Sequence, residues 1–410
     1  MIQFEGQNGV VKIFTDLVED VAVQQVKEMA ESPITENAIM RIMPDVHAGK
    51  GSTIGTTIKL SDKFSEWKVS PNVVGSDVGC GILMYKLADK DIDLEKLDKV
   101  VNELIPSGKD VYKVPQSPKF TKAAIQALTF ILKEESKDRV ELSLGTLGDG
   151  NHFIELGIDN DGDYWLSVHS GSRNLGAQVA RHHQKQAIKE LTSNKKDIAG
   201  MIEKMKSEGR HKELQSAIME LKKNNPELNQ RQKELAYLSG DSLKKYLNDM
   251  DVAQQFASKS RKTMLEIIVD SMEFEVVDSF DSVHNFIEHQ NLTKGYIRKG
   301  ATSAKLGERL VIPLNMKDGV IIASGKGNED WNYSAPHGAG RLMSRTKARK
   351  MLTVEQLQEE MSEVFTTSIS EETVDESPLA YKPASSIIET IKDTVDILHI
   401  VKPVYNFKAH

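Results

Sequence analysis

The spacing of hydrophobic and polar residues predicts both helices and strands along the chain. Between Asp16 and Ala30, hydrophobic side chains recur every three or four positions, which is the period of an amphipathic helix, and Pro33 ends the pattern. Short β-branched runs flank glycine-rich segments at residues 47–57 and 74–82. This alternation predicts strands that end in tight turns, where functional residues are often held.

A different pattern runs from about Gln184 to Met272. Hydrophobic residues are spaced there by four and then three positions among many Lys and Glu residues: Ile198, Ile202, Met205, Leu214, Ile218 and Leu221. We predict a helical insertion at about 184–272, with a hairpin that breaks near 224–226 and charges that face solvent. Strand-like patterns return after Phe274, so glycine-rich segments lie on both sides of the insertion. This arrangement predicts one interwoven α+β domain over residues 1–410.

The composition limits the class of protein. Of 410 residues, 39% are hydrophobic and 28% are charged, and no apolar run is long enough to span a bilayer. Cys80 is the only cysteine, which excludes an intrachain disulfide and suits a reducing compartment. The first residues lack the basic and apolar pattern of a secretion signal, so we expect a cytoplasmic protein without membrane contact. The net charge of −7 argues against a generally basic nucleic-acid coat but permits a local basic groove.

Five side chains in polar or glycine-rich segments could bind metal ions. Asp77 and Cys80 lie three residues apart in one turn, and three histidines have similar settings: His152, His169 and His284. One thiolate, one carboxylate and several imidazoles suit a borderline ion such as Mn²⁺, Zn²⁺ or Co²⁺, and a bridging thiolate could hold two ions. Spacing alone leaves this open, because a lone buried cysteine is usually a small hydrophobe and only the fold could bring these residues together.

His337 has the setting of a nucleophile. It stands before Gly338, Ala339 and Gly340, so little side-chain bulk surrounds it, and Arg341 could bind phosphate with its planar fork. Imidazole can attack a phosphoanhydride and form a covalent phosphoramidate. A histidine in a structural turn is the alternative interpretation. Other glycine-rich turns could approach phosphates with backbone N–H groups, but none matches a phosphate-binding fingerprint.

Taken together, these segments resemble the RtcB-type RNA ligases, a family that acts in tRNA splicing and RNA repair. The matching segments follow the order of the family: MPDVHAGKGSTIG (43–55), VGSDVGCGI (74–82), LGDGNHFIE (147–155), VHSGSRNLG (168–176), HNF (284–286), RKGAT (298–302), SAPHGAGR (334–341) and DESPLAYK (375–382). They extend over nearly the whole chain, and an ordered set of this kind is far more specific than any single motif.

The resemblance implies a GTP- and Mn²⁺-dependent ligase with mixed β-sheets around a central metal and nucleotide cleft. Two ions, bridged by Cys80, would be bound by the five candidate ligands: Asp77, Cys80, His152, His169 and His284. His337 would attack the α-phosphate of GTP, release pyrophosphate and carry GMP. The GMP would pass to an RNA 3′-phosphate, or to one opened from a 2′,3′-cyclic phosphate, and a 5′-hydroxyl would then displace it.

Further roles follow from the same resemblance. Arg173 would contact an RNA phosphate, and Asp45 would be the base for the 5′-hydroxyl, with a turn-capping Asp as an equal alternative. Glu155 would accept hydrogen bonds from guanine N1–H and the N2 amine. The guanylate pocket would draw on several segments: Asn151, His152, Phe153, Ile154, Glu155, His284, Asn285, Pro313, Leu314, Asn315, Met316, Val320, His337, Gly338, Ala339, Gly340, Tyr381 and Lys408.

One segment departs from the family pattern. Where the family has Pro-Gly-Ser-Met-Gly, residues 313–317 read Pro-Leu-Asn-Met-Lys. Asn315 takes the place of a nucleotide-contacting serine and Val320 that of a second polar residue, which predicts an altered nucleotide loop and indicates a divergent bacterial branch. We expect a monomer that acts on RNA. Two alternatives stay open: a metal-dependent 2′,3′-cyclic phosphodiesterase that does not ligate, and a non-catalytic RNA-binding member.

Overall fold

The structure is a computed structural model that describes residues 1–192, 205, 207 and 228–408. Its strands are β1 (Ile2–Gly6), β2 (Gly9–Ile13), β3 (Ile39–His47), β4 (Ile54–Lys59), β5 (Gly81–Leu87), β6 (Phe153–Ile158), β7 (Tyr164–Ser170), β8 (Val276–Val283), β9 (Asn285–Gln290), β10 (Lys294–Lys299), β11 (Ala301–Ser303), β12 (Arg309–Asn315), β13 (Gly319–Gly325), β14 (Ser334–Pro336) and β15 (Val395–Lys408). Its α-helices are α1 (Asp20–Ala30), α2 (Pro71–Val74), α3 (Leu94–Leu104), α4 (Pro118–Ala127), α5 (Glu134–Ser143), α6 (Arg173–Thr192), α7 (Gln230–Glu234), α8 (Gly240–Met272), α9 (Arg345–Met351), α10 (Val354–Glu360) and α11 (Ala384–Thr390).

Two large sheets combine early and late parts of the chain. The seven-stranded sheet has the order β12-β13-β15-β6-β7-β5-β8, and every neighbouring pair in it is antiparallel. The six-stranded sheet has the order β1-β2-β3-β4-β10-β9 and is mixed, because β2 and β3 run parallel. The short strands β11 and β14 form a third pair. The predicted α+β fold with interwoven sheets is therefore confirmed.

The long helix α8 belongs to both main hydrophobic cores. Its first half contributes Tyr246 and Met250 to the core of the six-stranded sheet. Its second half contributes Met264 and Ile268 to the core of the seven-stranded sheet. Buried residues recur along α8 at intervals of three and four, which is the stripe that a helix needs to pack along its whole length.

Within the described ranges, no helix has both the length and the apolar character needed to cross a membrane.

The predicted insertion at 184–272 overlaps α8. One face of the helix packs in the two cores, and Asp249 and Arg261 are its only buried charged residues, so the other charges lie at the solvent-accessible positions that the pattern predicts. The predicted break near 224–226 lies outside the described residues. So do most residues of the repeated spacing: Ile198, Ile202, Leu214, Ile218 and Leu221. The boundaries of the insertion stay a prediction.

Candidate active site

Four neighbouring strands bring the predicted metal ligands to one edge of the seven-stranded sheet. β5 begins directly after Cys80, and β6 begins directly after His152. β7 ends one residue after His169, and β8 ends directly before His284. Because β7 runs antiparallel to β5 and β6, and β8 runs antiparallel to β5, these starts and ends all lie at the same edge. Strand pairing therefore assembles residues that are far apart in sequence.

The five predicted ligands form one compact cluster. The sulfur of Cys80 lies 3.3 Å from Nε2 of His169 and 3.6 Å from Nε2 of His152. Nε2 of His169 is 3.2 Å from Nε2 of His284, and Nε2 of His152 is 3.1 Å from a carboxylate oxygen of Asp77. The donors make two groups of three that share Cys80: Cys80, His169 and His284, and Asp77, Cys80 and His152.

Two of the imidazoles are oriented for coordination by the backbone. Nδ1 of His152 lies 2.9 Å from the carbonyl oxygen of Leu147, and Nδ1 of His169 lies 3.2 Å from that of Asn151. Since a carbonyl only accepts, each Nδ1 carries the proton and each Nε2 directs a lone pair at the cluster. Burial lowers the pKa of His169 well below its usual range, which favours the neutral ring that binds metal. These convergent lone pairs fit a divalent cation.

The thiol of Cys80 adds to this fit. Burial raises the pKa of Cys80 well above its usual range, and the Asp77 carboxylate raises it further, whereas Arg261 opposes the shift. Such a thiol keeps its proton until a metal ion takes the proton's place. A methyl group at Gly171 would overlap the carboxylate of Asp77, so this tight cluster requires glycine there.

His337 lies beside the cluster, immediately after β14. Its ring centroid is 4.9 Å from that of His284. Its Nδ1 lies 2.6 Å from Oδ2 of Asp45, and its backbone N–H donates to the same oxygen at 3.2 Å. Because Nδ1 is engaged by Asp45, Nε2 is the ring nitrogen available to a substrate. Gly340 permits this arrangement, since it has φ of +76° and a side chain there would come within 2.7 Å of the Asp45 carbonyl.

The position of Asp45 does not suit the base predicted for the 5′-hydroxyl. Asp45 is fully buried behind His337 and lines neither of the two cavities at this edge. Its carboxylate instead fixes the tautomer and orientation of the His337 ring, as the acidic member of a catalytic triad does. The geometry supports a positioning role, and the role of Asp45 as a base for the 5′-hydroxyl stays a prediction.

A cavity of about 280 Å³ opens at the cluster and at His337. Most of the predicted guanylate pocket lines it: Asn151, Phe153, Glu155, His284, Asn285, Pro313, Leu314, Asn315, Met316, His337, Gly338, Ala339, Gly340, Tyr381 and Lys408. His152, Ile154 and Val320 do not line it, and His152 instead lines a neighbouring cavity. Strand alternation turns Ile154 away from Phe153 and Glu155 into the core, and Val320 packs in a separate core cluster. The prediction that the side chains of Ile154 and Val320 contact the nucleotide therefore lacks support from the geometry.

Buried charges fix one wall of the cavity. Glu376 forms ion pairs with Lys408 and Arg345, each at 2.9 Å, and its carboxylate accepts a hydrogen bond from the hydroxyl of Tyr381 at 2.6 Å. Burial opposes the ionisation of Glu376, but Lys408, Arg345 and Arg341 hold its pKa at about 2. The ammonium of Lys408 also lies 5.3 Å above the ring of Phe153. These contacts make a rigid wall of fixed charge next to His337.

Four lining residues with polar side chains had no assigned role from sequence: His47, Arg345, Glu376 and Asn406. His47 and Glu376 lie within segments that carry the family resemblance, so those segments were the available signal. The side-chain amide of Asn406 donates to Glu155 at 2.8 Å. No pattern in the sequence marks Asn406 or Arg345, because their contacts depend on strand register and on the path of the loop before α9.

Arg173 lines a second cavity, of about 920 Å³, that meets the first at Asp77 and Asn151. Arg173 begins α6 with φ of +54°, and its guanidinium donates to the hydroxyl of Thr146 at 3.3 Å. Basic and acidic side chains both line this cavity: Lys109, Arg139, Arg173, Arg345 and Arg349, and Asp77, Asp149, Glu372, Asp375 and Glu376. Arg173 thus lies in a cavity that adjoins the cluster, and its contact with RNA stays a prediction.

A cluster of metal-type donors beside an oriented histidine and a nucleotide-sized cavity is typical of metal-dependent phosphoryl-transfer enzymes. The family described as "tRNA-splicing ligase RtcB" matches residues 25–133 and 121–409, and the chain belongs to this family. It is 29% identical to the "RNA-splicing ligase RtcB" of Escherichia coli (strain K12), over 98% of each chain. It is 26% identical to the "tRNA-splicing ligase RtcB" of Pyrobaculum aerophilum, over 85% of this chain and 82% of that protein.

Proposed function

We propose that this protein is an RNA ligase that uses GTP and Mn²⁺ to join a 3′-phosphate or 2′,3′-cyclic phosphate end to a 5′-hydroxyl end. Membership of the family supports ligation, and its named relatives are RNA- or tRNA-splicing ligases. The observation that carries the proposal is His337, whose Nδ1 is held 2.6 Å from Asp45 beside the cluster. The physiological role is tRNA splicing or RNA repair in the cytoplasm.

Two metal ions would be held by the five clustered donors, with Cys80 shared between them. The two groups of three donors support this stoichiometry. When bound, the ions would polarise phosphoryl oxygens and neutralise charge that develops on them. The protein itself supplies neutral imidazoles of fixed tautomer and an anionic carboxylate, so little reorganisation is needed to receive the ions.

His337 would be the covalent carrier. Its Nε2 attacks the α-phosphorus of GTP, a P–N bond forms, and the P–O bond to pyrophosphate breaks. Asp45 keeps the proton on Nδ1 and balances the positive charge that the ring gains. GMP then passes to the RNA 3′-phosphate as the P–N bond breaks and Nε2 is released. The 5′-hydroxyl gives its proton to a base, its oxygen bonds the activated phosphorus to form the phosphodiester, and the P–O bond to GMP breaks. Glu155 would bind guanine, and Arg173 would bind an RNA phosphate.

The proposal is tested by sealing of a cleaved RNA with 2′,3′-cyclic phosphate and 5′-hydroxyl ends, with GTP and a panel of divalent metals. We expect Mn²⁺-dependent sealing and an acid-labile adduct with α-labelled GTP. His337→Ala should abolish both, while His289→Ala, a histidine paired with Asp251 away from the cavity, should retain both. Absence of any GMP adduct in the unaltered protein would refute the proposal that His337 is the covalent carrier. Opening of the cyclic phosphate without sealing would instead indicate a phosphodiesterase.

A further inference from the structure

Arg261 is a buried cation behind the metal-type cluster that the proposed mechanism does not use. It lies on α8, and its side chain is completely buried. A buried guanidinium is costly unless its N–H groups are paired and its charge is balanced. The partners that satisfy it therefore show what this cation stabilises.

One nitrogen of Arg261 bonds two backbone carbonyls that adjoin metal ligands. Nη1 donates at 2.8 Å to the carbonyl oxygen of Gly79, which directly precedes Cys80. The same nitrogen donates at 2.8 Å to the carbonyl oxygen of Ser170, which directly follows His169. These two bonds join the turn before β5 to the end of β7, and so fix the separation of Cys80 and His169.

The other side of the guanidinium reaches the strand that leads to His284. Nε donates to Oδ1 of Asp281 at 3.0 Å, and Nη2 donates to Oδ2 at 2.7 Å. Asp281 lies in β8, three residues before His284, and its Oδ2 also accepts from the hydroxyl of Ser258 at 3.1 Å. One side chain thus bonds the backbone next to Cys80 and His169 and a carboxylate on the strand that leads to His284.

Only arginine can make this set of bonds. Its planar guanidinium group offers five N–H donors in fixed directions, and the four bonds of Arg261 use four of them at the same time. Lysine would retain the charge, but a single ammonium cannot reach a carboxylate on one side and two carbonyls on the other. Charge and geometry can therefore be separated by one substitution.

We propose that Arg261 is a positioning residue that sets the spacing of Cys80, His169 and His284 and thereby tightens metal binding. The inference rests on the proposed metal-dependent function. Residues that orient metal ligands typically change metal affinity by about 10- to 100-fold when they are altered. We expect Arg261→Lys to weaken metal binding within that range although the positive charge is kept.

The test is a titration of the full-length protein with Co²⁺, without GTP or RNA, followed by the thiolate-to-cobalt and d–d absorption bands. Arg261→Lys should bind Co²⁺ about 10- to 100-fold more weakly, with shifted d–d bands, because the donors are less well fixed. The matched control is Asp249→Asn, also on α8. It breaks a buried ion pair in which Asp249 lies 2.7 Å from Nε2 of His183, and this pair is not part of the cluster. That variant should lose thermal stability but keep the affinity and spectrum of the unaltered protein.

The outcomes separate this inference from the proposed function. Equal Co²⁺ affinity and spectra for the unaltered protein and Arg261→Lys would overturn the positioning role alone. Failure of the unaltered protein to bind Co²⁺ would overturn the metal-dependent function itself. If thermal melts show that Arg261→Lys does not fold, Asp281→Asn decides, because it keeps Arg261 but removes the charge that aligns it. Unchanged Co²⁺ binding by Asp281→Asn would then refute the role.

Discussion

We expect Glu155 to make the binding of GTP depend on pH. Its side chain is 2% exposed, and its Oε2 accepts a hydrogen bond from Asn406 at 2.8 Å. Oε1 has no hydrogen-bond partner among the described residues. Burial raises the pKa of Glu155 to about 8, although Asn406 and Lys408 lower it. The carboxyl group is therefore mostly protonated at pH 7, whereas the guanine N1–H and N2 amine both need an acceptor.

The size of the effect follows from this pKa. If only the carboxylate binds guanine, the fraction of competent protein rises from about one in eleven at pH 7 to about three in four at pH 8.5. GTP should therefore bind roughly eightfold more tightly at pH 8.5 than at pH 7. The sign follows from the raised pKa: the competent, ionised form is lost as the pH falls below about 8.

Calorimetric titration with GTP, without divalent metal so that no turnover occurs, measures this dependence. ATP is the matched ligand, since it shares the triphosphate and lacks the guanine donors. Glu155→Gln is the matched protein, because it keeps the shape but cannot titrate. A GTP affinity that stays flat between pH 7 and pH 8.5, or an equal change for ATP, would show that Glu155 does not control binding through its ionisation.

Three further predictions concern the positions that support the site. Asp45→Asn should slow formation of the GMP adduct by about 10- to 100-fold with little change in GTP affinity, as rapid-quench labelling would measure, because the His337 ring loses its orienting anion. Gly171→Ala should abolish Co²⁺ binding or folding, which Co²⁺ absorption and thermal melts distinguish, because its methyl group would overlap Asp77. Glu376→Gln should lower the free energy of unfolding, measured in urea, by about 3 kcal/mol above pH 4.5. This loss should shrink as the pH falls toward 2, because the pKa of this carboxyl is depressed to about 2 in the folded state.

The metal ligands were predictable as a set only because several segments were considered together. Asp77 and Cys80 share a turn, but His152, His169 and His284 are spread over more than 130 residues. Their meeting depends on which strands pair, and spacing along the chain does not encode the order β6-β7-β5-β8. The ordered family segments supplied that information, since a shared fold carries the pairing with it.

The contact between Asn406 and Glu155 shows why other residues of the site were missed. β15 pairs with β6, and a register shift between Pro403 and Tyr405 places Asn406 opposite Glu155. Without this bulge Tyr405 would occupy that position, and every side chain beyond it would face the other side of the sheet. A single extra residue in a strand leaves no mark in the hydrophobic pattern of β15. The partner of Glu155 could therefore not be read from sequence.

α8 shows how much a charge pattern can predict. The charged residues of this part of the chain predict a solvated face, which α8 has, and its opposite face packs in two cores. Long basic side chains extend to solvent from a helix whose other face is buried, so charge content alone does not place a helix outside the core. Arg261 is the clearest case, because its charge lies within the interior and is matched by Asp281.

Asn315 explains how the departure from the family pattern is accommodated. Its side-chain oxygen accepts from the backbone N–H groups of Lys317 at 2.9 Å and Asp318 at 2.8 Å, and its amide donates to the Asp318 carboxylate at 2.7 Å. Asn315 thus closes the turn between β12 and β13, and both ends of its amide are engaged within that turn. A serine hydroxyl at this position could reach a nucleotide, but this amide is already bonded. In this chain the loop contributes the apolar side chains of Leu314 and Met316 to the cavity, so we expect polar contacts to a nucleotide to come from other lining residues.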